Sequence, residues 1–100
     1  MPKLYEYLGL IIFFYSNEHD PIHVHARYGE FESRIELIIK NGQVIGFTAS
    51  GVPGKRKLPA KQLKDFKKLV KVLSDEIVQS WVNYFVYHKK IVAKKIQGLL

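Results

Sequence analysis

The chain has 100 residues, 47% hydrophobic and 25% charged, with no cysteine and a formal net charge of +7. That length allows one domain with one core, and the composition is that of a globular protein. The lack of cysteine excludes disulfides and thiolate metal sites and suits a reducing cytosol.

The start, Met1-Pro2-Lys3-Leu4, lacks the apolar run and small-residue cleavage site of a signal peptide. The longest apolar run, Leu10 to Tyr15, is too short to span a bilayer. A soluble cytoplasmic protein that does not engage a membrane is therefore expected.

Leu8 to Tyr15 is rich in β-branched and aromatic residues and reads as a first strand. Ser16 to Pro21 is turn chemistry, closed by a proline that holds Asp20 extended. Alternation from Ile22 to Tyr28 resumes after Gly29-Glu30, from Phe31 to Lys40. Asn41-Gly42 is a strong hairpin signal for a type I′ turn, and Gln43 to Thr48 makes the return strand. Residues 49–57 form a glycine-containing basic loop, and Pro59 suits the first turn of a helix. On that helix Leu63, Phe66, Leu69, Val70 and Leu73 form one stripe. Lys61, Lys64, Lys67, Lys68 and Lys71 fall opposite, within about 120° of arc. Ser74 followed by Asp75-Glu76 has the form of an N-cap, so a second helix is expected with Ile77, Trp81, Tyr84, Phe85 and His88 on its apolar face. The fold class is α+β: a four-stranded antiparallel meander over residues 1–48, the basic loop 49–57, and two C-terminal helices with a tail over 58–100, all one domain.

The charge is not spread evenly. Residues 1–54 carry four basic residues against six acidic ones, whereas residues 55–71 carry eight basic residues against Asp65 alone. A concentrated excess of this kind attracts polyanions or acidic proteins, although a solvated lysine-rich face has the same appearance. Lys55, Arg56, Lys57, Lys61, Lys64, Lys67, Lys68 and Lys71 are the candidate contacts for nucleic acid or an acidic partner.

A two-residue loop at Gly29-Glu30 sets the strand register by counting. Arg27 faces Glu32, His25 faces Arg34 and His23 faces Glu36 on one side of the sheet, while Val24 faces Ile35 and Tyr28 faces Phe31 on the other. Glu36 would keep His23 basic, and Arg34 would push His25 toward neutral, which separates the two imidazoles as acid–base chemistry requires. His23, His25, Arg34 and Glu36 are thus the candidate catalytic set. The same pattern also fits a polar sheet face whose histidines simply pair across strands. A zinc site using His19, His23 and His25 is a further alternative, which the neighbouring arginines disfavour. No phosphate-binding loop or nucleophile elbow is present.

The stretch from Tyr15 to Gly29, with His19, Pro21, His23, His25 and Ala26 followed by Tyr28-Gly29, resembles the family called domain of unknown function 4160. The resemblance runs through Leu58-Pro59 to Trp81, with a 49–57 loop longer and more basic than the family's usual connection. It implies a small bacterial cytosolic protein of a toxin–antitoxin-like pair, and marks His19, Pro21, His23 and His25 without giving them a role. Two functions follow as expectations. One is a binding module whose basic helix contacts nucleic acid or an acidic protein; the other is a metal-independent ribonuclease using His23 and His25 as acid and base. No cofactor is required by either. An edge strand leaves room for a homodimer.

Overall fold

The computed structural model describes residues 2–17 and 21–98. Strand β1 (Lys3–Tyr7) turns back into β2 (Leu10–Phe13), with Tyr7 opposite Leu10. The intervening Leu8 and Gly9 both have positive φ, 46° and 83°, as a two-residue primed turn needs. The single strand expected from Leu8 to Tyr15 is therefore the second arm of a hairpin. A leucine in the left-handed region is unfavourable for an L residue, which is why the sequence does not announce this turn. Leu8 projects into solvent there, 74% exposed.

Strands β3 (His23–Tyr28), β4 (Phe31–Lys40) and β5 (Gln43–Gly51) follow as a meander. Asn41 and Gly42 adopt φ of 53° and 76°, the expected type I′ geometry. The β3–β4 register is the one obtained by counting: His23 opposite Glu36, His25 opposite Arg34, Arg27 opposite Glu32. β5 runs three residues beyond Thr48 into the expected loop. Residues after it stay tied to β4, the Glu32 amide donating to the Arg56 carbonyl at 2.8 Å and the Leu58 amide to Ser33 Oγ at 3.1 Å.

One helix, α1 (Ala60–Phe85), covers the sheet, with Pro59 as its N-cap. A final short strand, β6 (Lys94–Lys95), lies parallel to β1. The sheet is mixed and six-stranded, in the order β5-β4-β3-β2-β1-β6. The expected four-stranded meander with two helices is thus corrected on both counts. The second helix does not separate because Leu69, Leu73, Ile77 and Trp81 continue one apolar stripe at four-residue spacing, with no glycine or proline to stop it. What remains of the Ser74 cap signal is a local kink: Leu73, the residue before it, leaves helical geometry at φ −104°, ψ 16°.

Phe66, Leu69, Val70, Ile77 and Trp81 bury against Leu10, Ile12, Val24, Ala26, Ile35 and Leu37, which alternate onto one face of the sheet. The residues between them, including Phe13, His25, Glu32 and Arg34, face the other way.

Candidate functional site

The reverse face of the sheet, away from α1, carries a compact polar and aromatic cluster. Phe13 is the register partner of His25, and their rings stack at 5.6 Å between centroids. Tyr15 meets the edge of the same imidazole at 4.5 Å, and His23 lies 5.2 Å away. Phe13 is fully buried, and His23 and His25 are each only 3% exposed. His23 sits at the start of β3, where its ring also reaches Trp81 at 5.3 Å.

Glu32 organises this cluster. It is 4% exposed, and its Oε2 accepts two hydrogen bonds, from the Tyr15 hydroxyl at 2.8 Å and from His25 Nδ1 at 3.1 Å. His23 Nδ1 donates to the Pro21 carbonyl at 2.8 Å. A carboxylate and a carbonyl only accept, so both imidazoles carry a proton on Nδ1, and in the neutral ring the lone pair lies on Nε2. An acceptor at Nδ1 of this kind orients an imidazole that acts as base or ligand through Nε2.

The strand register expected from sequence holds, but the side-chain partners do not follow it directly. His25 takes Glu32, its diagonal neighbour, instead of responding to Arg34 directly opposite, since a diagonal position on an antiparallel pair is within reach of a long side chain. His23 turns to Pro21 rather than Glu36. Arg34 and Glu36 lie on the same face two residues apart and approach each other, at 3.4 Å, with side chains 30% and 43% exposed. The two imidazoles of the expected catalytic set are thus brought together, while Arg34 and Glu36 form a separate, partly solvated pair. Sequence reasoning missed Glu32, Tyr15 and Phe13. The signal for Glu32 was its diagonal position, and for Tyr15 its place at the head of the histidine motif.

Among the described residues, no group of three histidine, cysteine or acidic side chains is placed to hold a metal ion. His19, the third ligand of the zinc alternative, lies outside the described residues.

Residues 9–82 match the family model described as Domain of unknown function (DUF4160). The chain belongs to the DUF4160 family. The matched stretch contains β2 through β5, every residue of the buried histidine cluster and α1 as far as Val82. No curated protein and no solved structure matches the chain. No helix among the described residues is long and apolar enough to cross a membrane.

The basic residues form a second, separate feature. Lys61, Lys64, Lys67, Lys68 and Lys71 are all exposed on α1, and Lys55, Arg56 and Lys57 are exposed in the segment before it. Lys61 pairs with Asp65 at 3.1 Å, one helical turn on. α1 covers one sheet face and the Glu32–His25 pair lies on the other, while His23, at the start of β3, reaches Trp81 of α1.

Proposed function

We propose that this DUF4160 protein is a binding module, one half of a toxin–antitoxin-like pair, whose basic helix contacts nucleic acid or an acidic protein. The observation that carries the reading is the continuous exposed row of Lys61, Lys64, Lys67, Lys68 and Lys71 on α1, extended by Lys55, Arg56 and Lys57. Lysines held at solvent by a buried opposite stripe keep their charge available to a partner at no cost to the core. Pairing with a second small protein is what the resemblance at the histidine motif implies. The ribonuclease alternative takes second place because both imidazoles are buried, so a phosphodiester would reach them only after Tyr15 and Phe13 moved aside.

The test is fluorescence anisotropy of a labelled single-stranded RNA and of polyglutamate across a salt series. If five lysines neutralise phosphates, the RNA affinity falls with a log–log slope of about −3.5, which is ~100-fold between 50 and 200 mM salt. Binding insensitive to salt, or absent for both ligands at low salt, would refute the reading. RNA cleavage in chelator that is lost in His23→Ala and His25→Ala proteins would instead restore the enzyme alternative.

A further inference from the structure

The two edges of the sheet are built differently. One ends in β6, two residues long and composed of two exposed lysines, which is how natural sheets blunt an edge. The other ends in β5, nine residues long, Gln43-Val-Ile-Gly-Phe-Thr-Ala-Ser-Gly51, with no charged residue and no proline. From Gly46 to Gly51 it pairs with β4 in unbroken register, and among the described residues no strand lies on its outer side. A long, uncharged edge is a template for a further strand.

The register breaks at one place. Ile38 faces Gly46 and Ile39 faces Val44, so Ile45 is a bulge. Bulges re-aim side chains, and this one leaves Ile45 61% exposed at an open groove of about 360 Å³ lined by Val44, Ile45, Gly46, Phe47, Lys71 and Ser74. The groove therefore has an apolar floor from the sheet edge and a cationic rim from α1. Lys71 is the last member of the row that includes Lys64, Lys67 and Lys68.

We infer that β5 takes up an extended acidic segment of a partner protein as an additional strand, with an aliphatic side chain in the groove and carboxylates on Lys71 and its neighbours. This deepens the lysine-face reading and rests on it. Nucleic acid offers no peptide backbone to an open strand. A second copy is disfavoured by geometry: antiparallel pairing of β5 with itself runs through a two-fold axis normal to the sheet, which places both helices on the same face. The Lys71 side chains of two chains, each of net charge +7, would then crowd one joint.

The probe is a nine-residue peptide of alternating valine and glutamate, titrated into the full chain while backbone amide exchange is followed by NMR, with heparin in parallel to report on the lysine row alone. The expected result is slowed exchange in Gly46–Ser50. Ile45→Lys is expected to weaken the peptide about tenfold by removing the apolar floor, although it adds a positive charge, and to leave heparin binding intact. Ile45 is exposed, so this variant keeps the fold. Peptide that binds without protecting β5, or binds the Ile45→Lys protein as well as the wild type, would overturn strand addition while leaving the lysine-face reading in place. Failure of heparin to bind would overturn that reading and the acidic character of the segment. Protection of the same amides by RNA, or by raising protein concentration alone with a dimer in sedimentation, would also overturn the proposal.

Discussion

Removing the Glu32 carboxylate should destabilise the protein more than removing either group that bonds to it. One oxygen, Oε2, accepts from both the Tyr15 hydroxyl and His25 Nδ1, in a setting where Glu32 is 4% and His25 3% exposed. Glu32→Ala deletes both acceptor contacts at once and opens a void beside Phe13 and His25. Hydrogen bonds to a charged group contribute ~1.5–3 kcal/mol each, and breaking a buried pair from one side costs ~3–5 kcal/mol, so ~3–5 kcal/mol is expected in total. In a domain of this size that is a fall in Tm on the order of 20 °C. Glu32→Gln keeps the shape and can place its amide oxygen where Oε2 sits, so it loses charge assistance only, about 1–2 kcal/mol. Tyr15→Phe should lose a comparable amount, and in the double variant Tyr15→Phe/Glu32→Gln the two losses should not add, because they share one bond. The assay is urea unfolding followed by Trp81, the only tryptophan, which packs 5.3 Å from His23 and 5.2 Å from Phe14. A Glu32→Ala protein within 1 kcal/mol of wild type, or strict additivity in the double variant, would refute the idea that Glu32 holds the cluster together.

Further outcomes concern the seam between β1, α1 and the C-terminal segment. The Tyr5 hydroxyl is buried and donates to Glu76 Oε1 at 2.8 Å, and Lys94 donates to the same oxygen at 2.9 Å. Burial, and then the bond to Glu76, push the Tyr5 phenol well above its ordinary value of 10.0. Its contribution is therefore complete below pH 10 and is lost as pH rises beyond it. Tyr5→Phe should cost about 1 kcal/mol at neutral pH and flatten the alkaline limb of a plot of urea midpoint against pH. The Lys94 bond, with Tyr5 second, holds the Glu76 carboxyl below its usual range. Its contribution is present above the ordinary carboxylate pKa and is lost as pH falls through the lowered one. Glu76→Gln should accordingly remove a small part of the acid limb, small because the side chain is 42% exposed. Trp81→Ala removes a ring packed on Phe14 and Phe85 and should cost ~3–5 kcal/mol in calorimetry. Gly42→Ala meets no neighbouring atom but must adopt φ of 76°, so about 1 kcal/mol of pure backbone strain is expected in its urea midpoint.

Local signals in the sequence were sufficient for the β3–β4–β5 meander. Asn41-Gly42 dictates its turn, the two-residue spacing at Gly29-Glu30 dictates its register, and alternation dictates which side chains share a face. The same holds for the separation of lysines from the apolar stripe on α1, since helical geometry alone places them opposite each other. Three things were decided only by tertiary structure. The Leu8-Gly9 turn has no turn-forming residue at its first position and is held by the β1–β2 pairing and by the docking of β1 beside β6. The Ser74 cap signal was overridden because burying Leu69, Leu73, Ile77 and Trp81 against one sheet outweighs a local preference to begin a new helix. The partners of the histidines, finally, depend on which side chains the folded sheet leaves within 3 Å or so of one another. Register restricts that choice to a few neighbours, but burial selected Glu32 over Arg34 for His25, because a buried imidazole N–H needs an acceptor and a guanidinium has none to offer.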